Sequence, residues 1–412
     1  LFKFSKYISV LCGSFDADGH CRVNLNTTAY SRMLQSKLPN TGTTIFSRMT
    51  ALADSCAAIN LAQGFPDYSC SPQIVDLVTQ AMQLGHNQYA PMPGLLSLRQ
   101  AVAQSYLNRG VVVDPETELT ITPGATAALF TAIASLVHPG DEVVVLTPAY
   151  DSYVPAILTV GGVPRTVPLD VKTFTPDWQA IRDAVSKKTR LLIVNTPHNP
   201  TGTVWSSADV ETLAQLCEEH DIYILSDEVY DRIVFEPFVH VSPFSVSALR
   251  DRTIVVTSFG KTFHVTGWKV GCLLASQAIT SELRKVHQYL SFSVHTPTQH
   301  ALAHVAGSPH IGTDLQHFFT HKRNLFRNAL DGSRWDILPC YGTYFQLLGY
   351  CSSEPDVEMA EQCTLVHGVA AIPLSPFMYD ASAKDRLRYL RFCFAKEDET
   401  LLEAASRLKK AG

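Results

Sequence analysis

Three polar residues, each at or just past the end of a short apolar run, constrain this chain more than any other feature. Asn195 ends the run Leu191–Val194. Asp227 follows Ile222–Leu225, and Lys261 follows Thr253–Thr257 within Ser258-Phe259-Gly260-Lys261-Thr262-Phe263. Asn195 and Asp227 are 32 residues apart, and Asp227 and Lys261 are 34 apart. Each interval fits one strand–helix–strand unit of about 30 residues or more. Successive parallel strands would then bring an amide, a carboxylate and an amine to one edge of one sheet. In open α/β sheets the carboxyl edge is where ligands bind.

The surrounding pattern predicts an α/β fold. From Ser71 to about Val305, helical and strand patterns alternate: helices over Pro72–Leu84, Leu95–Asn108, Thr126–Leu136 and Ala208–His220, and strands over Leu119–Ile121, Glu142–Leu146, Val163–Val167, Ile222–Leu225 and Ile254–Val256. Regular alternation argues for a mostly parallel sheet covered on both faces. From about Pro309 the pattern changes to a long helix (Thr313–Leu330), short strands including Tyr344–Leu348, and a final helix Glu399–Lys410. We therefore expect an extension over residues 1–36, an N-terminal arm over 37–70, a large domain over 71–308 and a smaller α+β domain over 309–412.

Composition narrows the function. A length of 412 residues with 46% hydrophobic content allows a large core. A formal charge of −5, without long runs of one sign, offers no electrostatic footprint for nucleic acid or an anionic membrane. The ten cysteines are scattered without a CxxC pair, which argues for reduced thiols, a cytoplasmic location and no metal site. No apolar stretch reaches 18 residues, the length a membrane span requires.

The chemistry follows from the residue types. A lysine amine becomes a nucleophile when desolvation or a neighbouring cation lowers its pKa, and Lys269 in Thr266-Gly267-Trp268-Lys269-Val270-Gly271 is one such cation. An amine that forms a Schiff base, with an acid that keeps a pyridine nitrogen protonated, is the equipment of pyridoxal 5'-phosphate chemistry. Asp227 would be that acid, although read alone it fits a helix cap equally well. Asn195 and Tyr230 would bond the ring's phenolic oxygen. Pro123-Gly124-Ala125-Thr126 opens a helix and offers free N–H groups and a hydroxyl to a phosphate. Tyr150 could stack on the ring or pack as an ordinary core aromatic.

Together, Asn195-Thr-Pro-His-Asn-Pro-Thr-Gly202, Ser226-Asp-Glu-Val-Tyr230, Ser258-Phe-Gly-Lys-Thr-Phe263 and Thr266-Gly-Trp-Lys-Val-Gly271 resemble the fold-type-I, class I/II aminotransferases. Leu61-Ala-Gln-Gly-Phe-Pro-Asp67, Gln88-Tyr-Ala-Pro91, Val286-His-Gln-Tyr-Leu290 and Arg391-Phe-Cys-Phe-Ala-Lys396 resemble the bacterial methionine aminotransferase and kynurenine aminotransferase/cysteine-conjugate lyase branch. The resemblance runs from about Leu38 to the C-terminus. It implies a mostly parallel seven-stranded sheet and a homodimer with shared active sites. It makes Lys261 the Schiff-base lysine and proton carrier, Asp227 the ring-nitrogen partner, and Asn195 and Tyr230 the phenolate contacts. Gly124, Ala125, Thr126, Ser258 and Lys269 would line the phosphate, and Tyr150 would stack on the ring. Tyr89 would reach the phosphate of the other subunit. Arg391, helped by the Gly64 backbone, would clamp the substrate carboxylate, and Arg388 fits that register less well. Lys269 stands where the aspartate aminotransferase pattern has arginine, and Tyr150 where tryptophan or phenylalanine is usual.

Enzymes for dicarboxylic amino acids carry a second arginine about 35 residues after the lysine, whereas His287–Pro297 contains none. The expected lining is Ile45, Phe46, Phe65, Tyr89 and Phe292, which suits methionine, phenylalanine, tyrosine or kynurenine as amino donor, with broad specificity. Two alternatives stay open: a β-lyase of cysteine S-conjugates using the same site, and a non-catalytic sensory domain, which the presence of Lys261 disfavours.

Overall fold

The computed structural model describes residues 35–379 and 387–410. The extension expected over residues 1–36 falls outside them except for its last two positions, and Cys12 and Cys21 fall outside as well. The chain divides into two units, Leu1–Asn40 and Thr41–Gly412, and the second holds everything described below.

Its strands are β1 (Ile59–Asn60), β2 (Leu119–Thr122), β3 (Glu142–Thr147), β4 (Val163–Pro168), β5 (Thr189–Asn195), β6 (Tyr223–Asp227) and β7 (Thr253–Ser258), then β8 (Gly271–Leu274), β9 (Asp336–Ile337), β10 (Phe345–Gly349), β11 (Val369–Ala370), β12 (Ile372–Pro373) and β13 (Tyr389–Cys393). Strands β2 to β8 form a seven-stranded sheet in the order β2-β8-β7-β6-β5-β3-β4. β4, β3, β5, β6 and β7 run parallel, while β8 pairs antiparallel with both β7 and β2. The mostly parallel seven-stranded sheet expected from the sequence is therefore present.

The apolar runs are continuous because both faces of this sheet are covered. Val144 and Leu146 of β3 pack into one core with the helix Ser207–His220, whereas Val143 and Val145 pack into another with Ala125–Leu136 and Gln277–Leu290. That is the two-residue period of a strand serving two layers. The helix Ser207–His220 starts where a capping box forms: Ser206 accepts from the Asp209 N–H and the Asp209 carboxylate accepts from the Ser206 N–H. It buries Val210, Leu213, Leu216 and Cys217 on one stripe.

A four-stranded antiparallel sheet, β12-β13-β10-β9, lies in the C-terminal part, and β1 pairs parallel with β11. The loop after β1 is held there by backbone bonds from Leu61 N–H to the Ala370 carbonyl (3.1 Å) and from Cys393 N–H to the Leu61 carbonyl (2.8 Å). Several elements go beyond the sequence reading: β8, and the helices Ile45–Ser55, Tyr153–Thr159, Trp178–Ala184 and Asp356–Leu365. β8 follows Val270 with only Gly271 to announce it. The helix Tyr153–Thr159 is two turns long, too short for its period to register.

Among the described residues, the eight cysteines are free thiols. No helix there is long and apolar enough to cross a membrane, and no group of three or more His, Cys, Asp or Glu could hold a metal ion.

Candidate active site

The carboxyl ends of β5, β6 and β7 open on a cleft of ≈ 270 Å³. Asn195 and Asp227 are direct partners in the β5–β6 register, and Lys261 sits in the short helix Phe259–Thr262 that follows β7. All three line the cleft. Parallel strands of matched register bring their last residues to one edge.

Gly64 and Phe46 reach the cleft from the N-terminal segment, and Gly124, Ala125, Thr126, Tyr150, Tyr230, Ser258, Lys269 and Arg391 line it as well. Ala125 and Thr126 are the first residues of a 12-residue helix capped by Gly124 at φ 85°, so their N–H groups have no partner within the helix. The floor is tight. A Cβ on Gly271 would lie 2.8 Å from the Ala125 nitrogen, and a Cβ on Gly124 would lie 3.2 Å from Lys269 Nζ. These glycines are what allow a backbone N–H and an ammonium to converge.

Asp227 is buried. Its Oδ2 accepts from Tyr153 Oη at 2.6 Å and its Oδ1 from the Val229 N–H at 3.3 Å. Burial raises its pKa to about 6, against those hydrogen bonds and the nearby Lys261, which lower it. Lys261 is lowered to about 8, chiefly by burial, with Arg391 and Lys269 adding like charge. Its Nζ donates to the Gly64 carbonyl at 3.0 Å and to Tyr344 Oη at 2.7 Å. Asn195 Nδ2 donates to the Asp227 carbonyl at 2.8 Å, and its Oδ1 accepts from the Asn199 N–H at 2.9 Å. Tyr230 is buried, with its pKa pushed up by desolvation.

Arg391, in the middle of β13, is 1% exposed. Its Nη1 donates to Asn199 Oδ1 at 2.7 Å and its Nη2 to the Ala62 carbonyl at 3.0 Å, while Nε has no partner among the described residues. The guanidinium lies over the Phe345 ring at 3.9 Å, and burial lowers its pKa. Arg388 instead donates to the Leu387 and Ser353 carbonyls and does not line the cleft. Arg388 precedes β13, whereas Arg391 lies within that strand and faces the cleft.

Four expected residues, Ile45, Phe65, Tyr89 and Phe292, lie elsewhere in this chain. Tyr89 is 83% exposed and meets Phe292 edge-on at 5.5 Å on an outer surface. Phe65 is half exposed, with Lys396 Nζ 5.1 Å from its ring. Ile45, offered as lining, packs instead against the main core. Conversely, Tyr153, Asn199, Tyr344 and Phe345 contact the expected residues without having been singled out. Asn199 stood inside a recognised motif, and Tyr344 and Phe345 inside a predicted strand. Only Tyr153 lacked any signal, because its partner Asp227 is 74 residues away.

Comparison with known proteins follows the same line. Residues 57–408 match the family model described as aminotransferase class I and II. The chain is 47% identical to the methionine aminotransferase of Escherichia coli over 91% of its own length and 98% of that relative. A crystal structure of an Escherichia coli protein whose description identifies a methionine aminotransferase function superposes with a TM-score of 0.89, covering 92% of this chain and 99% of that one. The N-succinyldiaminopimelate aminotransferase structure from Mycobacterium tuberculosis gives a TM-score of 0.87 at 36% identity, over 92% and 100%. Kynurenine–oxoglutarate transaminase of Dictyostelium discoideum is 32% identical over 90% of this chain and 94% of that protein. The chain belongs to the class I and II aminotransferases and has their fold-type-I architecture.

Proposed function

We propose that this aminotransferase uses pyridoxal 5'-phosphate to move the amino group of a neutral, sizeable L-amino acid (methionine, phenylalanine, tyrosine or kynurenine) to a 2-oxo acid in two half-reactions. One observation carries the reading: a half-buried lysine with its pKa lowered to about 8, a buried aspartate and a buried arginine share one cleft. The residues fit the cofactor. The start of the helix Ala125–Leu136, where Gly124, Ala125 and Thr126 line the cleft, suits a phosphate, with Lys269 beside Gly124 as counter-charge. When bound, the cofactor supplies an electron sink next to the amino acid's Cα.

The chain's own groups supply the rest. Asp227, oriented by Tyr153, holds a proton on the ring nitrogen, and a cation there favours its carboxylate form. Lys261 takes the Cα proton and returns it on the far side of the substrate nitrogen, which requires an amine that titrates near working pH. Arg391 pairs with the substrate carboxylate in a dry setting over Phe345, where a charge-assisted bond is strong. Phe46, Phe345 and Tyr150 surround the remaining space with carbon, which suits an uncharged side chain. The Mycobacterium relative's name points to a more polar donor, but no second arginine lines this cleft among the described residues.

We read the chain as an arm (37–70), a large cofactor-binding domain (71–308) and a small domain (309–412), active as a homodimer. Exposed Tyr89 and Phe292, in edge-on contact, support the dimer, since exposed apolar groupings mark interaction surfaces. In the dimer Tyr89 and Phe292 would meet the partner's site.

The test is the visible spectrum of the cofactor-loaded protein before and after methionine is added without an oxo acid. Conversion of the Schiff-base band to that of the aminated cofactor, reversed by an oxo acid, supports transamination. A persistent band with pyruvate accumulating from a cysteine S-conjugate would replace it with the β-lyase reading.

A further inference from the structure

The Lys261 amine is engaged by two oxygens. Nζ donates to the Gly64 carbonyl at 3.0 Å and to Tyr344 Oη at 2.7 Å, and Tyr344 Oη donates to the same carbonyl at 2.6 Å. The triangle joins three separate segments: the loop after β1, the residue before β10 and the turn after β7. Tyr344 is 1% exposed, and its ring packs edge-on against Tyr230 at 5.1 Å and Phe345 at 4.9 Å. Donating to Gly64, with the Tyr230 side chain also within hydrogen-bonding reach, the hydroxyl turns a lone pair toward Lys261.

We propose that Tyr344, acting with the Gly64 carbonyl, is a positioning residue that docks the Lys261 amine whenever it is not covalently engaged. The proposal rests on the Schiff-base reading of Lys261. A neutral amine gives its two hydrogens to the two oxygens and keeps its lone pair for the cleft. The ammonium gives two hydrogens to the same oxygens and aims the third into the cleft. Lys261 can therefore accept a proton and deliver it without changing its two anchors; only the cleft-facing position alternates between lone pair and N–H.

Both oxygens accept, so both favour the charged form. They oppose burial, which lowers the amine's pKa to about 8. Arg391 and Lys269 act with burial, while Asp227 and the Cys393 thiol act against it; Tyr230 packs beside the same amine, its ring centroid 5.7 Å from Nζ. Removing the Tyr344 hydroxyl should thus make the amine easier to deprotonate.

Tyr344→Phe keeps the ring and its packing. In cofactor-free protein, the rate of pyridoxal 5'-phosphate uptake, followed by growth of the Schiff-base band, tracks the neutral amine across pH. The expected result is a midpoint lower by about one pH unit, a tenfold change in proton affinity. In the loaded enzyme, kcat for methionine should fall about 10- to 100-fold, with KM nearly unchanged because Arg391 is untouched. An unmoved midpoint overturns the proposal, including when the variant only melts at a lower temperature, since Tyr344 would then be packing alone. A KM effect without a kcat effect also overturns it. If wild-type protein forms no band that Lys261→Ala abolishes, the Schiff-base reading itself fails, and that outcome is separate from the behaviour of Tyr344→Phe.

Discussion

Arg391 illustrates how much one side chain's setting decides. It is buried over three aromatic rings, with two N–H groups committed to Asn199 and Ala62 and its Nε free of partners among the described residues. Arg391→Ala should raise KM for the amino donor by an amount worth about 2–5 kcal/mol, with little change in cofactor binding. Steady-state kinetics at varied methionine would check this, and an unchanged KM would sink the assignment. Lys261→Ala should bind cofactor without the Schiff-base band and lose turnover, which a spectrum reads directly. Asp227 gives a pH prediction. Burial favours its protonated form, and the Tyr153 hydrogen bond favours its charged form. Tyr153→Phe removes a stabiliser of the charge, so the carboxyl's pKa rises further from about 6. In cofactor-free protein the acid-side loss of pyridoxal 5'-phosphate binding, followed by titration across pH, should accordingly move to higher pH, and a loss that stays or moves down would contradict the assignment.

At the scale of elements, the site depends on where strands stop and helices start. β5 and β6 end in register at Asn195 and Asp227, and the helix Ala125–Leu136 starts beside Gly271 of β8. Gly271→Ala would place a methyl 2.8 Å from backbone atoms of Gly124 and Ala125. Backbone cannot rotate aside as a flexible side chain can, so the helix start must shift. Overpacking of this kind costs about 1–3 kcal/mol. We expect a lower melting temperature together with weaker pyridoxal 5'-phosphate binding, measured by calorimetry and by cofactor titration. Loss of stability with unaltered cofactor affinity would separate the glycine from the phosphate cradle.

At the scale of the molecule, Tyr89 and Phe292 are large aromatic side chains left exposed, at 83% and 44%, which fits a site completed by a second copy. Sedimentation should report a dimer. Mixing Lys261→Ala with Tyr89→Ala protein should regenerate activity, because a hybrid dimer holds one site with both native residues. Random pairing restores about a quarter of wild-type sites. Mixtures no more active than their components would argue that each subunit works alone.

The sequence on its own determined the sheet, its mostly parallel sense and the residues at its carboxyl edge. Those depend on local apolar runs, on intervals of fixed length and on motifs with a chemical reason to exist. Asn195, Asp227 and Lys261 were legible because each follows its own strand immediately. Tyr153 and Tyr344 depended on contacts between segments distant along the chain, whereas Arg391 was preferred to Arg388 from its motif alone. Gly64 meets Lys261 and Tyr344 only because β1 pairs with β11 and β13 is held to the loop after β1. Such meetings leave no periodic trace, since they depend on how layers pack rather than on what any segment prefers. Chain order set the inventory of the site; the tertiary structure decided which groups touch, and so which proton each one holds.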